Sequence, residues 1–193
     1  VVAVSLKKTE LSIPPRVREH LLDTANPHYL YDLLGVFKGS LVKRIYLQPD
    51  ETECPPVRDA LALTESIGAI PAYAYLGDVT DSPTGDKQAE KFEDDFLDEL
   101  FDELASLGFR AVTYMPPRNT AAQLERVQRL CGEYGFMEIS GVDINSSRQS
   151  FNCPEVVEPG FVHLTRAAWA LIAHEKLADR DETLGLFHED NPL

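Results

Sequence analysis

Repeatedly along this chain, a short apolar segment rich in β-branched or aromatic residues gives way to a longer one whose apolar residues recur at helical spacing. The strand-like segments are Val1–Leu6, Val42–Gln48, Ile70–Leu76, Arg110–Met115 and Phe136–Val142, each bounded by glycine, proline or a charge. Between them, Pro14–Leu22, Pro27–Leu41 and Pro56–Ile67 each start near a proline, which a first helical turn tolerates. Asp86–Leu107 places Phe92, Phe96, Leu100, Leu104 and Leu107 on one helical face and meets Gly108 at its end. Thr120–Tyr134 opens on a threonine cap and closes at Gly135, and Pro159–Ala178 carries Phe161, Leu164, Ala168, Leu171 and Ile172 at helical spacing. Strands that alternate with helices make a parallel sheet with helical crossovers, so the fold class predicted is α/β. A complete eight-fold (βα) barrel takes roughly 250 residues. With 193 residues and these strands, the expectation is a barrel-like sheet that is open, partial or distorted.

At 44% apolar and 26% charged the chain has the composition of one ordinary globular domain, taken over 1–193 with an acidic, frayed tail from Asp179 to Leu193. Thirty-two acidic against eighteen basic residues give a net charge of -14, which argues against nucleic acid or an anionic membrane as partner, since both require a positive field. The apolar runs Ala69–Leu76 and Ala167–Ala173 are too short to cross a bilayer, and no signal-peptide core is present. Cys54, Cys131 and Cys153 are far apart and show no zinc-site spacing, which reads as cytoplasmic thiols. The start at Val1 without a methionine reads as a processed or excised segment.

In a parallel α/β sheet the loops after the strands carry the chemistry. The richest follows the last strand, where Gly141-Val142-Asp143-Ile144-Asn145 leads to Arg148. Asp143 can bind a metal, Asn145 can add an amide oxygen and Arg148 can hold an anion, while a strand-to-loop turn uses Asp143 and Asn145 equally well to satisfy backbone donors. After the fourth strand, Arg118 presents a planar fork suited to phosphate or carboxylate, two residues before the helix start at Thr120. After the third strand, Gly77 permits close backbone approach and Asp78 can face a ligand or close a turn. The carboxylates of Asp50, Glu51 and Glu53 suit a hard cation or a plain acidic turn. The acidic residues between Glu90 and Glu103 read as a solvated helix face, and His163 and His174 as helix-face residues.

These ordered segments, from Gly68-Ala69-Ile70-Pro71-Ala72-Tyr73-Ala74-Tyr75-Leu76-Gly77-Asp78 through Gly108-Phe109-Arg110-Ala111-Val112 and Asn119-Thr120 to Tyr134-Gly135 and Gly141-Val142-Asp143-Ile144-Asn145, resemble the C-terminal part of the PHP (polymerase and histidinol phosphatase) domain. The resemblance spans about Val42 to Ala173. It implies a distorted (βα) barrel, divalent metals such as zinc, manganese or iron, and hydrolysis of a small phosphorylated substrate through metal-activated water. Against the family pattern, Tyr75 stands where a histidine is usual, Thr113 where a glutamate is usual, and Asn119 for a loop histidine. The final Asp-x-His stands as Asp143-Ile144-Asn145, and the N-terminal His-x-His is missing.

The resemblance leaves two readings. In one, the chain is part of a metal-dependent phosphoesterase, with Asp143 catalytic and metal-bound, Asn145 beside it on the metal, and Arg118, Arg148, Asp78 and Asn119 holding substrate. In the other, it is a catalytically degenerate ligand-binding or regulatory module on the same fold, because an amide keeps polarity but supplies no charge for a divalent cation.

Overall fold

The structure, a computed structural model, describes residues 13–45, 47–79, 90–144, 147–149 and 151–192, with the backbone alone for 41–45. The chain divides into two compact units. The first comprises Val1–Cys54 and Ile144–Gln149, the second Pro55–Asp143 and Ser150–Leu193. The strand expected at Val1–Leu6 lies outside the described residues.

The first unit is helical where described. Helices α1 (Pro15–Leu22) and α2 (Tyr29–Ile45) pack together, and Asn26 ties the connection by donating from Nδ2 to His20 O at 2.9 Å and to Asp32 Oδ2 at 2.7 Å. The strand expected at Val42–Gln48 is not formed, because α2 continues to Ile45. Phe37, Leu41 and Ile45 recur every four residues, so the helical period outlasts the β-branched residues that suggested a strand.

The second unit holds α3 (Val57–Ser66), β1 (Ala72–Ala74), α4 (Leu97–Leu107), β2 (Ala111–Tyr114), α5 (Ala121–Tyr134), β3 (Met137–Ser140) and α6 (Val162–Ala178), with single 3-10 turns between. The strands form one parallel sheet in the order β1-β2-β3, so the unit is α/β with a small open sheet. Register places Tyr73, Val112 and Glu138 in one row, and alternation along the strand puts Tyr114 on their face. Val112 and Tyr114 join the core with Leu97 and Phe101 of α4, Val127 and Leu130 of α5, and Leu164 of α6. The opposite rows, Ala72-Ala111-Met137 and Ala74-Thr113-Ile139, leave both β1 alanines exposed.

Local signals explain the best-formed helix. Thr120 accepts from Gln123 N while Gln123 Oε1 accepts from Thr120 N, a reciprocal cap, and Gly135 ends α5 at φ 69°. Helix α4 begins later than the expected Asp86, after a 3-10 turn at Asp94–Phe96. Residues 86–89 lie outside the described set, and Glu90 pairs with Val79 in an antiparallel bridge. Phe96 is half exposed, and Leu97 and Phe101 anchor the helix in its place. Within the segment expected to fray, Asp181 caps a 3-10 turn at Glu182–Leu184, and Leu186 N donates to His174 Nδ1.

Candidate functional site

At the exit of β1, the chain runs through Tyr75, Leu76, Gly77 and Asp78 and is held by residues from three other segments. Glu93, buried, accepts from Leu76 N at 2.8 Å and from the Tyr73 hydroxyl at 3.4 Å. Asp94 accepts from the Tyr75 hydroxyl at 2.6 Å, from Asp78 N at 3.0 Å and from Gln123 Nε2 at 2.7 Å. Burial and the Asp94 carboxylate push the Tyr75 phenol up, and burial together with Glu93 raises Tyr73 to about 12, so both remain hydrogen-bond donors. Gln123 donates its second amide hydrogen to Asp78 O, and Gly77, at φ 69°, fits beneath: a Cβ there would lie 2.7 Å from Gln123 Nε2 and 2.9 Å from Asn119 Nδ2. Only glycine meets both demands.

This arrangement brings together Asp78 and Asn119, two of the residues singled out by sequence. Asn119 is buried; its Nδ2 donates to Leu76 O and its Oδ1 accepts from Met115 N, each at 2.8 Å, so it ties the exit of β1 to that of β2. Asp78 accepts from Phe92 N at 2.7 Å and pairs with Lys91 at 2.9 Å. The Phe92 N–H, then Lys91, hold its carboxyl below the usual range. Both side chains are engaged with the protein itself.

Arg118 stands apart from this set. It follows β2 in the turn that leads to the Thr120 cap, and its Nη1 lies 3.9 Å from Met115 Sδ. Its Nη2 is buried and has no hydrogen-bond partner among the described residues. Such a nitrogen is costly, because a guanidinium N–H removed from water without an acceptor loses its solvation. Asp143, half-buried, comes three residues after β3, and Gly141 packs beside Met115 Cγ and Tyr114 O, so the exits of β2 and β3 adjoin. Asn145 lies outside the described residues.

Arg148 belongs to the first unit, where it grips Asp32 with both nitrogens, at 2.5 and 2.9 Å. That fork, ahead of the Asn26 contact, lowers the Asp32 carboxyl to about 2. Among the described residues no three histidine, cysteine, aspartate or glutamate side chains gather closely enough to hold a metal ion. Of the two uses that the acidic segment Asp50–Glu53 suits, a cation or a plain turn, the structure shows the turn, Asp50 Oδ1 accepting from Thr52 N and Oγ1.

A second polar group escaped the reading of the sequence. On the helix-covered face of the sheet, the Tyr114 hydroxyl donates to Glu138 Oε2 at 2.7 Å and accepts from Gln128 Nε2 at 3.0 Å. His163 Nε2, from the first turn of α6, lies 3.0 Å from both oxygens. The signal was present in Phe136-Met137-Glu138-Ile139: a charge in the middle of an apolar strand needs a buried partner. Glu93 and Asp94 were likewise read as solvated, although Glu93 is buried and both organise β1.

No protein-family model matches this sequence, and no curated protein or solved structure does either.

Proposed function

We propose that this chain is a metal-independent binding module for a small phosphorylated molecule, built on part of a PHP-like (βα) barrel, with Arg118 as the anchor for the phosphoryl group. The observation that carries this reading is the buried Nη2 of Arg118 at the C-terminal edge of the sheet, which has no partner among the described residues. A phosphate oxygen supplies the acceptor that nitrogen lacks, and a planar guanidinium suits two parallel bonds to a phosphoryl group. The neighbouring start of α5 adds backbone N–H groups. Asn119 and Gln123 position the turn by holding it to the exit of β1.

The described residues do not fit a divalent metal. Asn119 has both amide atoms committed to backbone partners, and the only carboxylate at the β3 exit is Asp143. The reading as a phosphoesterase portion therefore rests on Asp143 alone within the described residues. The net charge of -14 favours a small ligand over nucleic acid or an anionic membrane. No helix among the described residues is long and apolar enough to cross a membrane. Cys54, Cys131 and Cys153 are free, which suits a reducing cytoplasmic setting.

Calorimetric titration of the chain with inorganic phosphate, with and without Arg118→Met, tests the proposal. Saturable binding that the substitution abolishes is expected. Release of p-nitrophenol from p-nitrophenyl phosphate with manganese or zinc, lost in Asp143→Ala, would overturn it in favour of the hydrolase.

A further inference from the structure

Helix α6 turns Leu164 into the core, while its outer line carries Val162, Arg166, Trp169 and Ala173, spaced i, i+4, i+7 and i+11 and all exposed. Ile172 stands exposed beside this line. Trp169, the single tryptophan of the chain, is 67% exposed. Lone apolar residues on a surface are ordinary, but a row of them on one helix, centred on a tryptophan beside an arginine, has the make-up of an interface core. The C-terminal turn reaches α6 through His174, which helical spacing places far round from Trp169, so it leaves this row open.

A matching row lies on α4 and the turn before it. Phe96, Glu99 and Glu103, spaced i, i+3 and i+7, are exposed. Neither glutamate has an ion-pair partner among the described residues, and Arg166 has none there either. Helices α4, α5 and α6 all supply the core on one face of the sheet, so their outer faces form one layer. Both α4 and α6 start at the C-terminal edge of that sheet: Asp94 meets the exit of β1, and His163 meets Tyr114 and Glu138. They run in the same direction with their first turns level.

We propose that this layer is the contact of a homodimer, two copies meeting face to face about a two-fold axis that runs along α5. Such an axis sets α4 of each copy against α6 of the other, in parallel. Phe96 then meets Val162, Arg166 falls between Glu99 and Glu103, and Trp169 with Ile172 covers the last turn of α4 at Leu107. On the axis, α5 presents the exposed Ala122 and Gly132 and, one turn apart, the opposite charges of Glu125 and Arg129. Charge selects a second copy as the occupant. Each chain carries -14, so two copies repel in any arrangement that leaves charges unpaired, whereas this one pairs Arg166 with two free glutamates, twice over by symmetry. The area suffices as well. Three helices about 10 Å apart and about 16–25 Å long cover roughly 500–750 Å² in plan, close to the roughly 800 Å² per partner of a standard stable interface.

Sedimentation velocity and Trp169 emission of the full chain, from about 1 to about 100 μM, test the dimer. The mass should double and the emission should move to shorter wavelength over the same concentration range, since the single tryptophan leaves water on association. Trp169→Ala, at an exposed position where folding is spared, should weaken association about thirtyfold or more. Arg166→Glu and the double substitution Glu99→Lys/Glu103→Lys should each leave a monomer. Mixed in equal amounts, those two chains should associate, because each reversed row then faces its opposite charge. A monomer at every concentration, a dimer indifferent to Trp169→Ala, or reversed chains that stay apart when mixed would overturn the proposal. A monomer whose emission moves only on phosphatidylserine vesicles would overturn it in favour of a lipid surface.

Discussion

The exits of β1 and β2 are joined through Asn119, yet they treat their polar groups in opposite ways. At β1, Glu93, Asp94, Asn119 and Gln123 meet backbone and side-chain partners so fully that Leu76 N, Leu76 O, Asp78 N and Asp78 O are all paired. At β2, one turn later, Arg118 leaves a buried nitrogen unpaired among the described residues. A polar cluster that satisfies itself is explained by folding alone, whereas a buried donor without an acceptor has a use only when something else supplies one. Arg148 sharpens the contrast: the sequence offers it as an anion clamp equal to Arg118, but Asp32 occupies both of its nitrogens.

The contrast is broken most severely by Asn119→Ala. This substitution strands Leu76 O and Met115 N at once, and at about 1–3 kcal/mol for each unsatisfied group the loss should be roughly 2–6 kcal/mol in chemical denaturation. Gly77→Ala comes next, because it forces a side chain into the left-handed region and against Gln123 and Asn119; about 1–3 kcal/mol is expected from the same measurement.

Arg148→Gln acts through pH. The Asp32 carboxyl is lowered from 3.8 to about 2 in the folded chain, so its stabilisation is complete above the unfolded value and disappears as pH falls through this window. Removing Arg148 should bring the acid loss of α1–α2 structure to a higher pH, as followed by circular dichroism; an unchanged acid profile would show that the fork contributes nothing. The smallest change in stability belongs to Arg118→Met. It removes an unsatisfied donor and should leave the denaturation midpoint unchanged or raise it, by at most about 1 kcal/mol.

What could be read from sequence follows the range of the interactions. The three strands and α5 were legible because apolar runs, the Thr120 cap and Gly135 act within a few residues of themselves. The end of α2 was missed because Val42 and Ile45 have strand preference, while helical propagation from Tyr29 decides the outcome. The late start of α4 was hidden because Glu93 and Asp94 turn back to β1, contacts that span 16 to 20 residues. The loops bearing Asp78, Arg118 and Asn119 were correctly placed at strand exits, but their roles depended on Gln123, 45 residues from Asp78. No local pattern could distinguish Arg118 from Arg148, since their difference lies in Asp32, 116 residues from Arg148.

Thermal melting in increasing inorganic phosphate, for the unsubstituted chain and Arg118→Met, tests the central claim most directly. A ligand that binds only the folded state raises its stability by RT ln(1 + [L]/Kd), about 2.7 kcal/mol at a hundredfold excess over Kd. The midpoint of the unsubstituted chain should climb with phosphate while that of Arg118→Met shows only the general salt effect, matched by sulfate-free chloride controls of equal ionic strength. Equal climbs in both proteins, or none in either, would contradict the assignment of Arg118 as the anchor.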